Sequence, residues 1–260
     1  MAGAFLLEEM ICPEEAESLR NFLSDCPLPV APADALTASY WASPELPGNP
    51  VDELIGRLRR APGLADLLPD SAGAEWWWQD TDNTDPPKVF HTDCNLVLPL
   101  GSDVALKSHP EWSSVMYLTD LGGATAIFHQ NEVLAVWPRI GRYLLFPGAH
   151  LHCVLFPEEP PSGDRMTLLI NWWTQKPHGC SPSPRIAEIA EIAPPATAPA
   201  TAPASLVPPR RVLAMQREQS FEDHVEEWRA QRVPRELLSA KKDHVLAVSY
   251  LSAPPEDWWS

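Results

Sequence analysis

The chain has 260 residues, 45% of them hydrophobic and 21% charged, a balance that fits one medium-sized globular domain with appendages and excludes a fibrous or wholly disordered protein. Its formal charge is -16, from 19 Lys+Arg against 35 Asp+Glu, which argues against a surface built to neutralise phosphates, so nucleic acid is not an expected partner. Five cysteines with no CxxC pair among them indicate neither a disulfide framework nor a thiolate zinc site.

Residues 1–7 read MAGAFLL and then meet Glu8 and Glu9, too short an apolar run and the wrong charge for a secretory signal. No stretch approaches the roughly 20 apolar residues needed to cross a bilayer. The expectation is a cytoplasmic protein without a membrane partner. Residues 13–25, PEEAESLRNFLSD, open with Pro and acids and space Ala16, Leu19, Phe22 and Leu23 for an amphipathic helix. A second helix is predicted over 51–60, and residues 1–74 as a whole read as a helical support region.

From Glu75 onward short apolar runs are cut by turn signals, the pattern of strands. Strands are predicted near 75–79, 88–98, 113–119, 124–130, 132–137, 143–146, 151–156 and 165–173, within a core domain at 75–178. This spacing predicts a mainly β fold with flanking helices, a sandwich or jelly roll. Residues 181–209 hold eight Pro and eight Ala and read as a linker of polyproline character. Over 210–260 helical spacing returns around Phe221, Val225 and Trp228. That segment is expected either to dock on the core domain or to form a small partner-binding helical unit.

Chemistry is concentrated on consecutive predicted strands. His91-Thr92-Asp93 comes first, then His152, then Arg165-Met166-Thr167. Side chains alternate along a strand, so His91 and Asp93 share a face, as do Arg165 and Thr167, and both pairs can point into one barrel. Two imidazoles and a carboxylate on adjacent strands make a 2-His-1-carboxylate facial triad, which suits Fe(II) with open positions for a chelating co-substrate and O2. The Arg suits bidentate capture of the far carboxylate of a dicarboxylic acid, with the Thr hydroxyl as a second donor. In Trp76-Trp77-Trp78-Gln79, alternation sends Trp76 and Trp78 one way and Trp77 and Gln79 the other; one face is core, and the other either packs in core or reaches the barrel mouth. Asn171 is in phase with Arg165 and Thr167, so it should face the interior, where its amide needs partners from backbone or co-substrate.

The ordered set VFHTD, SVMYLTDLGGAT, LLFPGAHLHCV and GDRMTLLINWW, spanning roughly 75–173, resembles the Fe(II)/2-oxoglutarate-dependent dioxygenases, in particular their prolyl-hydroxylase-like branch. The resemblance implies a double-stranded β-helix of the cupin-like jelly-roll kind. It implies iron held by His91, Asp93 and His152, and 2-oxoglutarate held by Arg165 with Thr167 and touched by Tyr117. The cofactors implied are Fe(II), 2-oxoglutarate and O2, with ascorbate as a reductant. The implied activity is hydroxylation of a C–H bond in a peptidyl, including prolyl, or small-molecule substrate, with release of succinate and CO2. His150 competes with His152, since both fall on one strand face. Position one pleat deeper, and the family's His-x-Val pattern, favour His152. The alternative reading is a cupin-like metal-binding scaffold or binding module without catalysis.

Overall fold

The computed structural model describes residues 3–30, 38–42, 48–68, 73–81, 90–97, 106–129, 132–155 and 163–186, together with strands at Val212–Gln216 and Val245–Ser249. In chain order the elements are β1 (Phe5–Leu7), α1 (Pro13–Asp25), β2 (Tyr40–Ala42), α2 (Pro50–Arg60), β3 (Ala74–Thr81), β4 (Asn95–Val97), β5 (Leu106–Ser108) and β6 (Trp112–Tyr117). There follow β7 (Thr125–His129), β8 (Glu132–Val136), β9 (Tyr143–Pro147), β10 (Leu151–Val154), β11 (Arg165–Trp172), β12 (Ser181–Pro182), β13 (Val212–Gln216) and β14 (Val245–Ser249).

Both helices begin as their sequences dictate. Pro13 opens α1 with Glu14 and Glu15 in the first turn, and Ala16, Leu19, Phe22 and Leu23 form its buried stripe. Asn49 caps α2, its side-chain oxygen accepting from the Val51 and Asp52 amides. The same side chain donates to Ser183 Oγ and the Pro184 carbonyl, tying residues that follow the core back to the helix. The apolar faces of α1 and α2 share one core with Trp76 of β3, Met116 of β6, and Met166, Leu168, Ile170 and Trp172 of β11. These even-numbered residues of β11 lie on the outer face of the large sheet. The inner face holds a separate core of Val115, Tyr117, Ile127, Leu134, Val136, Leu144 and Phe146.

The large sheet runs β1-β9-β6-β11-β3-β2-β12, and the small one β10-β7-β8-β14-β13. His91 forms an antiparallel bridge to His152, on the side of β10 away from β7. Along the chain, successive segments alternate between the two layers: β3 in the large sheet, His91 in the small, β6 in the large, β7 and β8 in the small, β9 in the large, β10 in the small and β11 in the large. All these pairings are antiparallel. This winding is a double-stranded β-helix, or jelly roll, as the turn-punctuated strands predict.

Three local expectations require correction. The single strand expected over 88–98 is not formed, because the chain leaves β10 after His91. The Asp93 carbonyl accepts from His109 Nδ1 (2.6 Å) in place of a ladder amide, and β4 then pairs with β5 in a separate two-stranded sheet. The segment read as linker from 181 begins on the domain: β12 pairs with β2, and the Ile186 amide donates to the Gly48 carbonyl (3.0 Å). The region 210–260, read as helical, contains two strands, with β14 antiparallel to β8 and β13 parallel to β14. The helical pattern around Phe221, Val225 and Trp228 lies outside the described residues, as does the Ala/Pro run. Short strands such as β1, β2, β5 and β12 are two or three residues long, too few to display a period of two. All five cysteines are free thiols. Among the described residues no helix is long and apolar enough to cross a membrane.

Candidate metal centre and the cavity beside it

The backbone bridge that joins His91 to β10 builds the centre. The His91 amide donates to the His152 carbonyl (3.0 Å) and the His152 amide to the His91 carbonyl (2.9 Å). This reciprocal pair is the close hydrogen-bonded geometry of an antiparallel ladder, and it brings the two imidazoles to a centroid separation of 4.3 Å. Asp93, two residues on, returns its carboxylate to the same place. Its Oδ1 lies 3.8 Å from His91 Nε2 and 3.7 Å from His152 Nε2. The potential ligand atoms all fall within 4.8 Å of one another, and no other group of three or more His, Cys, Asp or Glu side chains among the described residues is so placed.

His152 and Asp93 are buried, whereas His91 is half-buried at the open side. His152 Nδ1 is engaged by the His150 carbonyl (3.0 Å), which assigns the proton to Nδ1 and leaves Nε2 with its lone pair facing the carboxylate. Phe146 packs edge-on against the His152 ring at 4.9 Å and fixes its plane. His150 is not part of the cluster. It stacks on His129 at 4.5 Å, and burial, with the His129 and His152 charges adding, pushes its pKa down to about 4.

Arg165 opens β11 with its side chain in the barrel interior, 4% exposed. One terminal nitrogen donates to Thr167 Oγ1 and the other to Thr125 Oγ1, each at 3.3 Å, while the buried Nε has no partner. The guanidinium carbon lies 5.8 Å from the centre of the Tyr117 ring, within cation–π range. Tyr117 itself is fully buried and donates to Thr125 Oγ1 (2.8 Å). Its pKa is raised by burial, against the opposing Arg165 charge; burial also lowers that of Arg165. The other buried arginine, Arg142, is paired with Glu8 at 2.7 Å. Arg165 has no carboxylate partner among the described residues. A buried guanidinium held by neutral hydroxyls alone is costly unless an anion joins it. Cross-strand register places Thr167 opposite Tyr117, and both lie against the Arg165 guanidinium.

Gly122, in the turn before β7, is what lets Arg165 sit there. Its φ is +91°, and a Cβ on it would fall 2.5 Å from Arg165 Cδ and 2.8 Å from Arg165 Cβ. Gly122→Ala is expected to cost about 1–3 kcal/mol from the left-handed backbone and the displaced arginine stem together. Thermal denaturation of the ligand-free protein checks this; an unchanged melting temperature would mean that the turn relaxes freely.

Beside Asp93 lies a cavity of about 320 Å3, lined by Ser39, Glu75, Trp77, Gln79, Asp93 and Asn171 among others. The tryptophan run is thus divided by the pleat: Trp76 is buried in the helix-side core with Trp78 packed against it, while Trp77 and Gln79 face the cavity. Glu75 is 8% exposed, and burial holds its carboxyl above the ordinary range, with the Asp93 charge adding and hydrogen bonds from Ser39, Trp173 and Asn171 opposing. Asn171, its register partner on β11, is also buried, and its Oδ1 has no partner. Sequence reasoning placed Asn171 inside the barrel but missed Glu75, Ser39, Thr125 and Gly122. Glu75 was legible in principle, being in phase with Trp77 and Gln79. Thr125 carries no local signal, since only the packing of β7 over Tyr117 gives it a role.

A metal at the centre is compatible with these donors. Ligand atoms about 2.1 Å from one ion and at right angles lie about 3 Å apart, so the carboxylate–imidazole separations of 3.8 and 3.7 Å would close by less than an ångström, and no pair of ligand atoms, all within 4.8 Å of one another, by more than about 2 Å.

No protein-family profile matches the chain, and no curated protein matches it. Solved structures similar to it include a Pseudomonas putida prolyl-4-hydroxylase, at 18% identity over 68% of this chain and 95% of that one, with a TM-score of 0.40. An oxidoreductase of the 2OG-Fe(II) oxygenase family from Burkholderia pseudomallei aligns at 16% identity over 70% and 89%, with a TM-score of 0.46. A viral collagen prolyl hydroxylase from Paramecium Bursaria Chlorella virus-1 aligns at 16% over 65% and 94%, with a TM-score of 0.42. At these levels no function follows from the likeness, and the fold class rests on the strand order itself.

Proposed function

We propose that the protein is an Fe(II)- and 2-oxoglutarate-dependent dioxygenase that hydroxylates a C–H bond of a peptidyl or small-molecule substrate. The observation that carries this reading is the pairing, inside one barrel, of a His91-Asp93-His152 cluster with a buried guanidinium that has no carboxylate partner among the described residues. A metal cluster alone fits many cupin-like proteins. A buried cation without a carboxylate partner among the described residues suits an anion, and together with the metal cluster it suits a dicarboxylate whose other end reaches the metal.

In this reading His91, Asp93 and His152 hold the iron, and they leave coordination positions open because the protein offers no fourth ligand among the described residues. Arg165 and Thr167 bind the far carboxylate of 2-oxoglutarate, and Thr125 and Tyr117 hold the guanidinium in place for it. Iron held by these three residues would supply O2 activation, coupling conversion of 2-oxoglutarate to succinate and CO2 to hydroxylation of the substrate C–H bond. The protein's own part is to orient both reactants and exclude water. The Val115, Tyr117, Ile127, Leu134 and Val136 core closes the barrel behind Arg165. Trp77 and Gln79 line the side open to substrate.

The test is succinate release by the full chain supplied with Fe(II), 2-oxoglutarate, O2 and ascorbate, including the slow turnover that occurs without substrate. Iron-dependent succinate is the expected result. Tight metal binding with no succinate under any substrate would overturn the reading in favour of a metal-binding scaffold.

A further inference from the structure

A second buried ionisable side chain without an ion-pair partner among the described residues lies in the barrel, an acid at the other end of β11 from Arg165. Glu75 sits in the middle of three pairing strands, with β2 on one side and β11 on the other. Ser39 Oγ is hydrogen-bonded to its Oε1 (2.7 Å) and Trp173 Nε1 to its Oε2 (2.8 Å). Trp173 Nε1 can only donate, so Oε2 accepts, while the Ser39 hydroxyl can donate to Oε1 or accept from it; burial by itself favours the neutral carboxyl, and a cation beside it would favour the ionised form. No Lys, Arg or His forms an ion pair with it among the described residues, in contrast to Glu8 on Arg142 and Glu15 on Arg57. Asp52, the buried acid of α2, accepts from the Gly48 amide, Asn49 Nδ2 and Ser183 Oγ at the helix N-terminus, a position that Glu75 does not have. Next to it, Asn171 is 2% exposed with its Oδ1 unpartnered. Both line the cavity that reaches Asp93, and Trp77 supplies an aromatic face to the same space.

A buried carboxylate, an idle amide oxygen and an indole ring have one type of partner in common, a cation that also donates hydrogen bonds. We propose that this cavity binds the ammonium group of the substrate, so that the protein acts on a carbon near a primary amine, Glu75 serving as counter-ion and Asn171 as acceptor. The volume of about 320 Å3 is at the small end for ligand sites, roughly 300 to 1,000 Å3, which suits a side chain or a small amine. With the ammonium held at Glu75, the carbon chain extends along the cavity towards Asp93. The inference deepens the oxygenase reading and rests on it for the word substrate, but the binding site can be tested without it.

The experiment is calorimetric titration of the full chain, without added metal, with two ammonium probes and their neutral counterparts. N-acetyl-lysine methylamide is compared with its ε-N-acetylated form, and n-butylamine with N-butylacetamide. Binding of either ammonium probe about tenfold or more tightly than its neutral counterpart is expected, and the arm that binds tells a peptidyl from a free amine. Glu75→Gln keeps the shape and the acceptor but not the charge, and should reduce that preference to about twofold or less. Asn171→Leu removes the acceptor and should weaken ammonium binding several-fold, giving a second reading should the Glu75 variant not fold. Equal binding of charged and neutral probes, a preference that survives Glu75→Gln, or no binding of either amine overturns the proposal. Absent succinate release with intact ammonium selectivity would instead remove the oxygenase reading and leave the cavity as an amine-binding site.

Discussion

Asp93→Ala is expected to abolish iron-dependent succinate release while leaving the metal-free protein folded. The carboxylate faces both imidazole Nε2 atoms, at 3.8 and 3.7 Å, and completes the one such cluster among the described residues, so without it the two imidazoles remain. Loss of a mere supporting hydrogen bond around a metal costs roughly 10- to 100-fold in affinity, and loss of an anionic ligand should exceed the top of that range. Folding should suffer little, because His91 and His152 are still joined by their own backbone pair and the Asp93 carbonyl keeps its bond to His109. Iron titration and thermal denaturation measured side by side separate the two effects. His152→Ala should match Asp93→Ala in iron affinity. His150→Ala should retain iron, since His150 stacks on His129 and contributes only its carbonyl to the site. Iron binding by His152→Ala at the wild-type level would remove the distal ligand assignment.

Arg165→Met should separate binding from stability in the opposite sense. The methionine keeps much of the stem that packs on Gly122 and removes a buried charge whose partners among the described residues are two hydroxyls and the Tyr117 ring. The ligand-free variant should therefore melt at or above the wild-type temperature, because an isolated buried charge is a cost that an apolar side chain of similar length does not carry. Its requirement for 2-oxoglutarate should rise steeply. Hydrogen bonds to charged groups contribute about 1.5–3 kcal/mol, which corresponds to roughly 10- to 150-fold in apparent KM. Arg165→Lys should recover part of this, since a point charge replaces the planar fork. The iron requirement should change far less than that for 2-oxoglutarate. A 2-oxoglutarate saturation curve unchanged in Arg165→Met would place the anion elsewhere, and a large fall in melting temperature would mean that the guanidinium is already compensated.

Much of this was open to inspection in the linear chain. The helix over 13–25 follows from Pro13, two acids and a stripe at helical spacing, and local chemistry of this kind needs no tertiary partner to be read. His91, Asp93, His152, Arg165 and Thr167 stand out as candidates by residue type and order, since few combinations of side chains can hold a metal or a dicarboxylate, whereas Tyr117 is a candidate through the resemblance alone. Alternation also divided the tryptophan run into two faces and turned Asn171 inward, because the pleat has a period of two whatever the strand packs against.

What alternation cannot supply is which face meets the helices and which the cavity. Trp76 and Trp77 are chemically alike, and only the docking of α1 and α2 on the outer face of the large sheet decides that Trp76 is core and Trp77 borders Asp93. The end of the His91 strand was likewise hidden, because a side-chain bond from His109, distant in sequence, interrupts the ladder there. Short edge strands and the two strands beyond residue 210 escaped for a related reason: two to five residues carry too little pattern, and it is the exposed edges of β9, β3 and β8 that recruit them. That Arg165 and Glu75 are buried without ion-pair partners among the described residues belongs to the tertiary structure entirely. A sequence shows that Arg165 and Glu75 are charged, but whether each has a counter-ion depends on which side chains the two sheets bring within reach and on how much water they exclude.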